Sequence, residues 1–109
     1  MTYYIEYSSE ARQDLYDIHK YIMNELMSPE TASQQINRIL NETDKLDVFP
    51  LRHQLCSDEP WNSKGIRFFP VDNYLVFYKT DDETEIVYVV RIMYGGRDVH
   101  KQLSQTEDV

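Results

Sequence analysis

Residues 66–94 constrain this chain more than any other stretch. Three β-prone runs, 66–71, 74–80 and 85–94, are broken only by Asp72-Asn73 and by Asp81-Asp82-Glu83-Thr84. Breaks this short and polar predict consecutive antiparallel strands. In the last run Ile86, Tyr88, Val90, Ile92 and Tyr94 alternate with Val87, Val89, Arg91 and Met93, so each set is expected on its own face. Both sets are mostly apolar, which predicts a central strand. Arginines stand before, inside and after these runs, at Arg67, Arg91 and Arg97. A guanidinium within an apolar strand is costly unless it meets an anion or a fixed partner. Any chemistry is therefore expected on the sheet, near these three side chains.

Ahead of the sheet the period changes. Residues 2–7 read as a short strand. Ser8-Ser9 offers a helix cap with Glu10 in the first turn, and Ala11, Leu15, Ile18, Ile22 and Leu26 recur every three or four residues, the spacing of one helical face. Ser28-Pro29-Glu30 restarts the pattern with a capping serine, a proline at the first helical position and an acid beside the positive helix end. Ala32, Ile36, Ile39, Leu40 and Leu46 then carry a second stripe to about Asp47. Two helices with so short a link form an antiparallel hairpin whose apolar faces need a sheet to cover. Phe49-Pro50 ends the second helix, and residues 51–64 read as irregular, with a short strand near His53–Cys56. The predicted class is α+β, in the order β-α-α-β-β-β, with residues 1–103 as one domain and 104–109 as a polar, acidic tail.

With 109 residues and a net charge of −8, a single core fits but generic nucleic-acid binding does not, because neutralising phosphates supplies most of such affinity. The acidity is uneven. Residues 1–50 carry nine acids against four bases, whereas residues 51–103 carry eight against seven, so a small basic patch is possible only in the second half. The acids Glu10, Asp14, Asp17 and Glu25 fall off the first helical stripe and read as a solvated face. One cysteine, Cys56, makes no internal disulfide and suits a reducing cytosol. The absence of any apolar run near about 20 residues, and of a hydrophobic leader, predicts a cytoplasmic protein with no membrane contact. His19, His53 and His100 lack cysteine or carboxylate partners at ligand spacing, so neither a metal nor another cofactor is expected. Trp61, after Glu59-Pro60, is expected to plug the core beneath the irregular segment.

Four segments in order resemble the RelE/ParE superfamily of toxins from bacterial type II toxin–antitoxin modules. They are Ala11-Arg12-Gln13-Asp14-Leu15 with Ile18 and Tyr21-Ile22; Leu46 with Phe49-Pro50; Gly65-Ile66-Arg67 with Asn73 to Tyr78; and Val89 to Asp98, which contains Tyr94-Gly95-Gly96-Arg97-Asp98. The pattern is more similar to the ParE-like branch. The resemblance implies a growth-inhibiting toxin neutralised by a cognate antitoxin in a hetero-oligomer. Its target would be DNA gyrase if ParE-like, or ribosome-bound mRNA if RelE-like. An alternative is a weakly toxic antitoxin-binding regulator. An acidic toxin further predicts an antitoxin contact segment rich in lysine or arginine.

Metal-free RNA cleavage needs cations against the scissile phosphate and a group to move protons. By the resemblance, Arg67 and Arg97 would supply the cations. Tyr94 and His100 are the nearby groups that would stack a base or carry a proton, and Arg91, Lys64 and Lys101 would bind the target. The RelE-type pattern also carries a tyrosine after its last arginine, where this chain has Leu103 or its neighbours. Each arginine has a structural reading as well. Arg67 would pair with Asp72 or Asp98, and Arg91 would tie the sheet to the C-terminal loop through Asp98.

Overall fold

In the computed structural model, residues 2–96 and 99–106 are described. Strand β1 (Tyr4–Tyr7) leads into helices α1 (Ser9–Leu26) and α2 (Pro29–Asp44). Two short 3-10 turns follow, Lys45–Asp47 and Pro50–Arg52. The chain then forms β2 (Arg67–Val71), β3 (Tyr74–Asp81), β4 (Ile86–Tyr94) and a six-residue helix α3 (Val99–Ser104). The α+β class and the strand–helix–helix–strands order are as the sequence predicts.

Local chemistry sets the helix starts. The Ser8 hydroxyl accepts from the Ala11 N–H at 2.9 Å, and Ser28 accepts from Thr31 N–H at 3.2 Å with Pro29 beside it. Each cap takes up a donor that the helix leaves without a partner. Ala11, Ile18 and Ile22 of α1, with Ala32 and Ile39 of α2, are buried against the sheet. Leu26, counted in the stripe, is exposed instead. It lies where the hairpin turns past the sheet, through Met27 in the left-handed region (φ 49°).

The sheet order is β1-β4-β3-β2. The pairs β2–β3 and β3–β4 are antiparallel, but β1 runs parallel to β4, from Tyr4 opposite Ile86 to Tyr7 opposite Val89. The sheet is thus mixed, with β4 inside it. A parallel neighbour requires a long crossover, and the helical hairpin is part of that connection.

The expected two faces of β4 are corrected by a bulge. Tyr78 stands opposite Val89 but Phe77 stands opposite Arg91, leaving Val90 as an extra residue. The alternation therefore shifts by one. Val87, Val89 and Ile92 pack with the helices, whereas Val90 and Met93 join a second cluster on the other face. That second cluster contains Cys56, Trp61, Ile66, Phe77 and Leu103. Trp61 is 4 % exposed, the plug that the sequence predicts. Residues 54–66 and α3 cover this face. Ser104, expected in the tail, closes α3, and the Thr106 hydroxyl accepts from Arg91. The expected strand near Cys56 is a single bridge between Leu55 and Arg67.

Candidate functional site

Strand β1 stops at Tyr7, so beyond Val89 the edge of β4 has no strand beside it. Side chains complete this edge. The Ser8 hydroxyl donates to the Val90 carbonyl at 2.9 Å, and Asp14 of α1 does the rest. One Asp14 oxygen accepts from Arg91 Nε at 2.7 Å and from the Ile92 N–H at 2.9 Å; the other accepts from the second Arg91 nitrogen at 2.8 Å. The remaining Arg91 nitrogen donates to Thr106 at 2.9 Å. Two parallel bonds between guanidinium and carboxylate form the strong, directional version of an ion pair. Hydrogen bonding to Asp14, chiefly, raises the Arg91 pKa above its ordinary value. Asp14 is therefore no member of a solvated acidic face. The sequence hides this because the two residues are 77 positions apart.

Arg67 opens β2, two strands across the sheet from Arg91 and one residue out of register with it. It donates to the His53 carbonyl at 2.7 Å and, more weakly, to the Leu51 carbonyl at 3.4 Å. The expected partner Asp72 is engaged elsewhere, accepting from Arg38 at 2.7 Å and Gln35 at 3.0 Å. Two further side chains treat the same irregular segment likewise. Arg52 donates to the carbonyls of Lys45, Val48 and Phe49, and the buried Tyr78 hydroxyl donates to that of Pro50 at 2.6 Å. Backbone carbonyls outside a helix or ladder need such donors. Here His53 stacks on Phe69 with ring centroids 4.4 Å apart, and burial, with Arg52 nearby, pushes its pKa down.

The remaining candidates lie apart. Tyr94 ends β4 opposite Tyr74, with the two rings edge to face at 5.9 Å. Arg67 stands opposite Tyr78, four residues further along β3. That is about 13 Å along the strands and two strand spacings, about 10 Å, across. His100 of α3 meets Trp61 edge on at 4.5 Å, on the far face. Lys101 on α3 and Lys64 after Trp61 are exposed. Arg97 and Asp98 lie outside the described residues. Among those described, the expectation of arginines gathered at one end of the sheet gives way to two separate anchorages. Arg91 is at the open edge; Arg67 is at the start of β2.

Between α1 and the end of β4 lies a groove of about 600 Å³, lined by Asp17, Tyr21, Tyr74, Tyr94, Gly96 and Gln102 among others. Of these the sequence offered only Tyr94 as a site candidate; the signal for Tyr21 was its place four residues after Asp17 on one helix face. No three His, Cys, Asp or Glu side chains among the described residues are grouped to hold a metal ion. Burial, then Asp58, pushes the Cys56 thiol up, which disfavours the nucleophilic thiolate. No helix among the described residues is long and apolar enough to cross a membrane.

Residues 5–99 match the family model of the ParE toxin of the type II toxin–antitoxin system parDE. No curated protein matches the sequence. Among solved structures, the chain is similar to one of the chromosomal ParDE toxin–antitoxin system of P. aeruginosa. The TM-score is 0.69 at 17 % identity, covering 85 % of this chain and 96 % of that one. It is also similar to a chain of the RelBE2 toxin–antitoxin complex of Mycobacterium tuberculosis (TM-score 0.62, 20 % identity, 86 % and 99 % covered). A substituted E. coli RelE toxin in the free state gives a TM-score of 0.66 at 13 % identity, with 97 % and 95 % covered.

Proposed function

Because this chain belongs to the ParE toxin family and is the toxin of a type II toxin–antitoxin module, we propose that it arrests growth by binding a protein target. DNA gyrase is the target that its ParE-like resemblance implies. A cognate antitoxin holds it inactive in a hetero-oligomer, as in the ParDE and RelBE2 systems that its fold is similar to. The site of action is the cytoplasm.

One observation carries the choice of a binding mechanism over RNA cleavage. Arg91 is bound by Asp14 inside the fold, and Arg67 is bound by loop carbonyls at a different place on the sheet. Cleavage would need preorganised cations converging on one phosphate. With a net charge of −8, the surface also opposes a polyanionic substrate. In this reading Tyr94, His100, Lys64 and Lys101 act, where they act, as contact groups rather than as catalysts.

The experiment is induction of the chain alone, with plasmid supercoiling measured and transcript ends mapped in the same cells. The expected result is lost supercoiling and a DNA-damage response with intact transcripts, reversed by co-expressing the small protein encoded beside it. New transcript ends with unchanged supercoiling would overturn the reading in favour of a ribosome-dependent endonuclease. Normal growth would indicate the weakly toxic regulator.

A further inference from the structure

We infer that the groove between α1 and the end of β4 receives an arginine or lysine side chain of the antitoxin. The inference rests on the antitoxin reading above and locates the contact.

Three tyrosines stand in its walls, beside Ile18, Met93 and the neutralised Asp14–Arg91 pair. Tyr74 and Tyr94 meet edge to face, and Tyr21 of α1 closes the other side. Tyr21 and Tyr94 line the groove and remain 61 % and 47 % exposed, so both are accessible to a ligand. The place of Tyr94 is set by its neighbour. A Cβ at Gly96 would stand 2.6 Å from the Tyr94 ring carbon Cε2, so the ring lies against backbone that only glycine leaves bare.

The charges distinguish one ligand class. Asp14, at the inner end, is spent on Arg91 and Ile92. Asp17, one turn further along α1, accepts from the neutral Gln13 amide at 2.9 Å. No ion pair compensates it among the described residues. A carboxylate beside tyrosine faces recognises a cation twice, through charge-assisted hydrogen bonds and through the ring quadrupoles. Guanidinium and ammonium groups fit this set. A phosphate does not, because Asp17 repels it, and a purely apolar side chain would bury the Asp17 charge without a partner. Such a cation is one the sequence already calls for, since an acidic toxin binds a partner of opposite charge.

The test measures affinity for the small protein encoded beside this chain. Asp17→Asn and Tyr21→Leu are each expected to weaken the complex by about tenfold or more. Tyr16→Leu, an exposed tyrosine outside the groove lining on the same helix, should leave it unchanged. Replacing the responsible partner arginine or lysine by methionine should make the Asp17→Asn loss disappear. Wild-type affinity in both groove variants, with folding confirmed by circular dichroism, would overturn the inference while the antitoxin reading stands. If the wild-type chain ignores that protein, the antitoxin reading fails. The groove is then judged with N-acetyl-arginine methylamide as the probe, followed by amide NMR. Shifts at Gly95 and Gly96 that Asp17→Asn abolishes sustain cation recognition, and equal shifts from the glutamine analogue refute it.

Discussion

Removing the Asp14 side chain tests the central claim, that a single carboxylate holds α1, β4 and, through Arg91, the C-terminal segment together. In Asp14→Ala the Arg91 guanidinium, only 15 % exposed, would lose both carboxylate bonds, and the Ile92 N–H would lose its acceptor. Breaking a fully buried pair costs about 3–5 kcal/mol because a charge is left uncompensated. Arg91 keeps its bond to Thr106 and some contact with water, so the lower end of that range applies. The orphaned N–H adds about 1 kcal/mol at most, since the open edge admits a water. The sum is about 3–4 kcal/mol, equivalent to a fall in melting temperature of about 12–20 °C for a domain of this size.

Urea unfolding at fixed pH measures the change, provided the slopes of the variants agree. Asp14→Asn, which retains one acceptor oxygen, should cost about half as much. The double variant Asp14→Ala with Arg91→Met removes the stranded charge and should be more stable than the single losses added together. The expected coupling is about 2 kcal/mol. An Asp14→Ala loss below about 1 kcal/mol, or a coupling below about 0.5 kcal/mol, would refute the reasoning. Either result would mean that Arg91 is held by packing and solvent rather than by this carboxylate.

Three further outcomes follow from the same physical arguments. The Tyr7 hydroxyl is shielded from solvent and without a hydrogen-bond partner among the described residues, and nearby Thr43 spends its proton on the Ile39 carbonyl. Tyr7→Phe should therefore be neutral or stabilising by up to about 1 kcal/mol in urea unfolding, and a clear loss would show a missed bond. Arg38 and then Gln35 hold the Asp72 carboxyl below the usual carboxylate value of 3.8. Its contribution is present above that value and lost as pH falls through the lower folded-state value. An acid unfolding midpoint that does not move in Asp72→Asn would count against it. His53 has a lowered pKa, from burial first and Arg52 second, so the folded state resists protonation. Stability should fall as pH drops below 6.5, and NMR should show the His53 ring titrating below that value; titration at or above it would contradict the stacked environment.

The parts of this fold that were legible in the sequence are those set by neighbours along the chain. Ser8 and Ser28 cap helices because their hydroxyls reach a donor three residues on, and the Asp72-Asn73 turn closes a hairpin at once. The parts that were not legible depend on distant partners. Nothing near Tyr4–Tyr7 says that it pairs parallel to a strand some 80 residues later. The extra residue at Val90 follows from how β4 must pass both Tyr78 and Phe77, which alternation alone does not reveal. Helix α3 is short, and its helicity depends on Val99 and Leu103 meeting the second apolar cluster. Of the candidate site, Tyr94 was found because it stands next to Gly95-Gly96-Arg97 in the sequence. Asp17 and Tyr21 were not, because their significance comes from the groove they share with it.

The same contrast explains why Arg67 and Arg91 stand out in the sequence yet are anchored separately in the fold. A guanidinium carries five donors in a fixed plane and never loses its charge, which suits a phosphate site and suits equally a stretch of backbone lacking a ladder. Between Lys45 and His53 the carbonyls are left pointing outward by two 3-10 turns and by Phe49 in the left-handed region. Arg52 satisfies those of Lys45, Val48 and Phe49, and Arg67 satisfies that of His53. Arg91 does the corresponding work for a carboxylate at the open strand edge. Each guanidinium turned to this work carries fewer donors available to an outside anion, in a chain that already has an excess of acids. Among the described residues, what the open end of the sheet presents is therefore aromatic and acidic, as Asp17, Tyr21 and Tyr94 show. The inferred basic contact of the antitoxin follows from this surface, and the surface follows from the structural use of Arg52, Arg67 and Arg91.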